Sequence, residues 1–121
     1  MKIERFEDID AWKESRLLVK SVYVAMENIR DYSFRDQIQR ASISIMSNVA
    51  EGFDRGTNKE FIYFLTIARG SVAEVRSLLY AAQDIGYIEQ KDWDCLQQRC
   101  FAIAKMINGF IRYLKNSSRL N

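Results

Sequence analysis

The chain has 121 residues, enough for one domain with a single core, and it is 48% hydrophobic and 28% charged, which excludes a disordered chain. Its 18 basic and 16 acidic residues leave a formal charge of +2, too close to balance to mark a nucleic-acid binder by itself. There is no proline and no histidine. Long uninterrupted helices are therefore permitted, while the usual general base and the commonest metal ligand are missing.

Hydrophobic periodicity predicts four helices. The first spans about 9–29, where Trp12, Val19, Tyr23 and Met26 recur on one side and Leu18, Val22, Ala25 and Ile29 widen the stripe. Glu7, Asp8 and Asp10 gather at its start, where the helix dipole favours negative charge. The second, about 34–51, is expected to open at a capping box of Ser33 and Asp36 and to end at Gly52. It buries Phe34, Ile38, Ala41, Ile45 and Val49.

The third helix, about 58–85, opens with a second capping box, Thr57 to Glu60, and stops at Gly86. Phe61, Phe64, Leu65, Ala68, Val72, Val75, Leu79 and Ala82 point inward. The fourth, about 90–115, alternates steps of three and four through Trp93, Leu96, Cys100, Ile103, Ile107, Phe110 and Leu114. The polar tail 116–121 is expected to fray. Four amphipathic helices with short connections predict an all-α, antiparallel up-and-down four-helix bundle forming one domain over 1–121.

Two helices carry more apolar surface than a monomer needs. Ile43, Met46 and Ala50 repeat on the side of the second helix away from Ile38 and Ile45, and Tyr63, Ile67 and Gly70 do the same on the third. Second stripes of this kind predict a partner, and self-association is the expectation. The spacing of Cys95 and Cys100 turns them about 140° apart on one helix, so they are expected to be reduced thiols. The N-terminal residues lack the apolar stretch of a secretion signal, and no run reaches the ~18 apolar residues of a membrane span. A cytoplasmic location without a membrane is the expectation.

Without histidine there can be no Ser-His-Asp or Cys-His pair, and two isolated thiols do not complete a zinc site. No phosphate-cradling glycine loop occurs. The expectation is a non-enzymatic protein with no cofactor and no metal. Glu51, in the last turn of the second helix, stands where the dipole disfavours an acid, so an ion pair with Arg40, Arg55 or Arg69 is expected. Arg55 and Lys59 flank the start of the third helix, where free backbone N–H groups favour anions. Arg40, Arg55, Lys59 and Arg76 are the candidate nucleic-acid contacts, and oligomerisation would multiply them over one surface.

The stretch 37–52, above all Ser47-Asn48-Val49-Ala50-Glu51-Gly52, resembles the signature of the bacterial four-helix-bundle family named for the 23S rRNA intervening sequence, also called the S23 ribosomal protein family. Lys59-Glu60-Phe61, Phe64-Leu65, Ala68-Arg69-Gly70-Ser71 with Glu74, and Phe6-Glu7-Asp8-Ile9 before Trp12-Lys13 continue the likeness. The resemblance implies a homopentamer with an RNA-associated role and no enzymatic activity. It also implies kinship with a bundle that serves a reverse transcriptase as a nucleic-acid-binding accessory. Gln39-Arg40 stands where the family commonly has two arginines, and Asp54 partly cancels Arg55. Both departures lower the positive charge. A protein-interaction module, using the polar stripe Arg40, Ser44, Ser47 and Glu51 on a partner or a neighbouring subunit, is the alternative.

Overall fold

The computed structural model describes residues 3–117. A single 3-10 turn (Phe6–Asp8) leads into α1 (Asp10–Met26), followed by α2 (Tyr32–Asp54), α3 (Asn58–Ile85) and α4 (Gln90–Lys115). No strand occurs among the described residues. Most of the expected fraying tail, 118–121 with Arg119, lies outside them.

Pairings between helices set the topology. Gln37 with Glu74, Ser44 with Ser71, and Gly52 against Phe64 run α2 and α3 in opposite directions. Asn58 with Leu114, Arg69 with Asn108, Arg76 with Gln97 and Gln83 with Gln90 do the same for α3 and α4. The short connection 27–31 turns α1 back against α2, so the bundle is antiparallel and up-and-down. Ile38, Ile45 and Val49 of α2, Phe61 to Ala82 of α3, and Leu96 to Leu114 of α4 fill its core at the predicted spacing, joined by Leu18, Val22 and Met26 of α1. Cys100 is buried, Cys95 is exposed, and both are free thiols.

The helix ends depart from expectation in three places. α1 stops at Met26 rather than near Ile29. Glu27 and Asn28 turn there, the Ile29 N–H donates to the Met26 carbonyl at 3.0 Å, and Ile29 reaches the core from the turn. Tyr23, placed inward by periodicity, is 41% exposed, because Ala11, Ser15, Leu18, Val22 and Met26 carry the buried side. The Ser15 hydroxyl is satisfied within its own helix, donating to the Ala11 carbonyl at 2.6 Å.

α2 is capped by Asp31 and not by Ser33. One carboxylate oxygen of Asp31 accepts the Phe34 N–H at 3.2 Å, and the other accepts the Tyr87 hydroxyl at 2.8 Å. A partner from the α3–α4 connection thus selects the cap. That hydrogen bond to Asp31 is also the main cause that raises the Tyr87 phenol above the ordinary tyrosine range.

α2 also continues past Gly52 to Asp54. Gly52 is a contact residue and not a terminator: a Cβ there would stand 2.6 Å from Phe64 Cβ and 3.0 Å from the Phe61 ring. The missing side chain lets α3 approach α2.

α3 begins and ends as expected. Thr57 Oγ1 accepts the Glu60 N–H at 3.2 Å, and the hydroxyl donates to the Glu60 carboxylate at 3.0 Å. Gly86 takes a left-handed φ of 89°, which lets the Tyr87 N–H reach the Ala82 carbonyl at 2.8 Å. Asn58, only 1% exposed, donates its amide to the carbonyls of Leu114 at 3.1 Å and Ser117 at 3.4 Å. The first turn of α3 thereby closes the last turn of α4.

Candidate functional site

The segment 47–52 lies along the outer seam between α2 and α3. Ser44 is its hub: its hydroxyl receives the Ser71 hydroxyl at 2.9 Å and the Asn48 amide at 3.0 Å, and its carbonyl accepts the same amide at 2.8 Å. The Ser47 hydroxyl donates back to the Ile43 carbonyl at 3.1 Å. Val49 faces the core, Ala50 is half-buried and Gly52 makes the close approach to α3. The segment therefore combines a packing contact with a strip of small polar side chains that satisfy one another.

Of the three partners weighed for Glu51, the structure selects Arg55, at 3.8 Å. Both side chains are about half exposed, so the pair contributes little stability. Arg55 also lies over the Phe64 ring, 4.9 Å from its centroid. Arg69 turns instead to α4, where it donates to the Asn108 amide oxygen at 2.8 Å. Arg40 borders a groove whose lining also includes Asp36 and Glu74. Lys59 is exposed on the first turn of α3.

The four candidate contacts do not form one surface. Arg40 and Arg55 follow the α2–α3 seam, whereas Arg76 lies on the opposite flank of α3. Its Nε donates to the Gln97 amide oxygen at 3.2 Å, and the Gln97 amide donates to the Arg76 carbonyl at 3.0 Å. Beside it, Tyr80 packs edge-on to Trp93, their ring centroids 5.1 Å apart. Tyr80 and Phe101, at 50% and 57% exposure, are surface aromatics off the core stripe that periodicity alone left without a role.

The surplus apolar residues do lie at the surface. Ile43 is 40% exposed, Tyr63 62% and Ile67 37%, and Gly70 has nothing within 4 Å of where a Cβ would stand. Met46 and Ala50 are half-buried. At ~100° per residue, Ile43, Met46 and Ala50 are turned roughly 100–160° round α2 from Ser44, away from α3. The two stripes are thus separate surfaces flanking the polar strip of Arg40, Ser44, Ser47 and Glu51.

Among the described residues no three His, Cys, Asp or Glu side chains come together in a way that could hold a metal ion. Nor is any described helix long and apolar enough to cross a membrane. The Cys100 thiol is pushed up to about 12 by burial, which leaves it a packing residue and not a nucleophile.

Comparison with curated proteins found no match. Among solved structures, a protein of unknown function from the S23 ribosomal protein family of Bacteroides thetaiotaomicron superposes with a TM-score of 0.77 at 21% identity, covering 84% of this chain and 98% of that one. It shares the fold. The family model for the 23S rRNA-intervening sequence protein matches residues 7–109, which takes in α1, α2, α3 and most of α4 together with the 47–52 segment. The chain belongs to the 23S rRNA-intervening sequence protein family.

Proposed function

We propose that this protein is a non-enzymatic helical bundle that assembles with copies of itself and holds RNA on the assembled surface. The observation that carries the reading is the pair of separate apolar stripes, Ile43–Met46–Ala50 on α2 and Tyr63–Ile67–Gly70 on α3, both at the surface and divided by a polar strip. A two-fold contact needs one self-complementary patch, whereas two different patches suit a head-to-tail contact that closes into a ring. The pentamer implied by the family likeness is the expected closure. The family's name, taken from an rRNA intervening sequence, favours RNA as the ligand, and the cationic side chains on outer faces would meet phosphates with little sequence readout.

Light scattering on the eluting protein tests assembly, and Ile43→Asp with Ile67→Asp tests the stripes. An assembly that falls to single chains in the double variant supports the reading; a wild-type single chain at micromolar concentration refutes it. A protein-interaction module is the second reading, favoured by the near-balanced charge along the polar strip, where Glu51 pairs with Arg55 and Asp36 and Glu74 line the same groove as Arg40. Salt separates the two: RNA affinity falls steeply with added salt, and an apolar protein contact does not.

A further inference from the structure

The seam between α3 and α4 gathers cations and aromatics in one groove without acids, whereas Asp36 and Glu74 line the groove on the α2–α3 seam. An open groove of about 420 Å³ runs along it, with Arg76, Tyr80, Trp93, Gln97, Phe101 and Lys105 among its lining residues and no acid in the lining. The guanidinium of Arg76 hydrogen-bonds to an amide, not to a carboxylate, and that bond leaves its charge unneutralised. Arg69, further along the same flank, is likewise held by the neutral Asn108 amide. Trp93, Gln97, Phe101 and Lys105 follow one another every four residues of α4. At ~1.5 Å per residue the backbone positions of Trp93 and Phe101 are about 12 Å apart along the helix, with Gln97 and its partner Arg76 between them and Lys105 beyond.

Flat rings that alternate with unneutralised cations along a groove are what an unpaired nucleic-acid strand requires, since its bases stack and its phosphates track positive charge. A protein partner of ordinary surface composition would gain from the aromatics but would have to leave the cations unpaired or bring acids of its own. A duplex would offer its phosphates but keep its base faces hidden. We infer that the α3–α4 seam is a binding groove for single-stranded RNA, with Phe101 and Tyr80, the latter braced edge-on by half-buried Trp93, as stacking platforms and Arg76 and Lys105 as phosphate contacts. The inference rests on the RNA reading above and gives it a place on the molecule.

Fluorescence anisotropy with a labelled twelve-nucleotide single-stranded RNA tests it on the full chain. Phe101 is more than half exposed, so Phe101→Ala leaves the core intact, and it is expected to weaken binding by about five- to a hundredfold, the range for loss of one stacked base. Phe101→Trp should restore it. Arg76→Gln with Lys105→Gln should reduce the slope of log affinity against log salt by about 1.4, at ~0.7 per phosphate contact on a single strand. Arg40→Gln with Lys59→Gln should leave affinity within about twofold of wild type, since neither residue lines this groove.

If wild type binds the strand but the seam variants bind it equally well, the groove assignment is wrong while the RNA reading stands. Loss of binding in the Arg40 and Lys59 variant alone would overturn the assignment in favour of the other seam. A wild type that binds no RNA at low salt overturns both. If Phe101→Ala changes the mass of the assembly and not RNA affinity, the seam is a contact between copies, and the inference fails.

Discussion

Replacing Gly52 with alanine adds one methyl group where α2 meets α3. The new Cβ would stand 2.6 Å from Phe64 Cβ, against the ~3.5–4.0 Å of ordinary carbon contacts, so the two helices must part by about 1 Å. Phe64 Cβ is fixed to the α3 backbone and has no rotamer by which to escape. Overpacking of a close-packed interior costs ~1–3 kcal/mol, and an immovable partner puts this site at the upper end, about 3. Better helix propensity returns ~1 kcal/mol, which leaves a net loss of about 2. For a chain of this size that lowers Tm by roughly 6–10 °C. Gly109→Ala is the matched control: its Cβ meets only the end of the Arg112 side chain, at 4.0 Å, so the same substitution should raise stability by ~0.5–1 kcal/mol. Thermal and urea unfolding followed by helical circular dichroism, at one protein concentration, reads both variants. A Gly52→Ala protein as stable as wild type would show that the α2–α3 approach is looser than described.

The caps, the buried amide and the thiols give further tests. Asp31→Ala should cost ~1 kcal/mol and Ser33→Ala a few tenths, because Asp31 holds the Phe34 N–H; equal losses in urea unfolding would return the cap to Ser33. Asn58→Ala takes the side-chain donor from the Leu114 carbonyl, which keeps the Ser117 N–H at 3.3 Å, and should cost ~0.5–1.5 kcal/mol, with faster hydrogen exchange confined to the last turn of α4. In a spectrophotometric titration Tyr87 should ionise above the ordinary tyrosine range, and Asp31→Asn should bring it back down. Because the folded phenol is the weaker acid, the stability it contributes is present below its unfolded pKa and lost as pH rises through the folded one. Iodoacetamide near pH 8 should modify exposed Cys95 and spare Cys100, whose thiol is pushed up to about 12; two modified thiols in the native protein would contradict the burial.

The architecture could be read from residue spacing because each helix buries a regular stripe. The ends of α3 were equally legible, since Thr57, Glu60 and Gly86 act through bonds within a few residues of themselves. What sequence could not separate were residues whose role depends on a distant partner. Gly52 has the local form of a helix stop, and only Phe64, twelve positions on, turns it into a packing contact. Asp31 and Ser33 are both competent caps, and Tyr87 decides between them. Asn58 bonds to Leu114, fifty-six positions on, and nothing in its local spacing signals that contact. Of the four candidate basic residues, each is exposed as expected, but spacing within single helices could not show that Arg76 turns toward α4 while Arg40 and Arg55 border α2 and α3. Phe101 and Tyr80 carried a signal, as large aromatics off the core stripe, that gains meaning only once α3 and α4 are set side by side.

The central claim is assembly through two distinct apolar stripes. Light scattering on wild-type protein at micromolar concentration, with absorbance at 260 and 280 nm read on the same peak, tests it most directly. The expected particle contains two or more 14.2 kDa chains and carries nucleic acid that high salt removes. A particle of 14.2 kDa, unchanged with concentration, would contradict it.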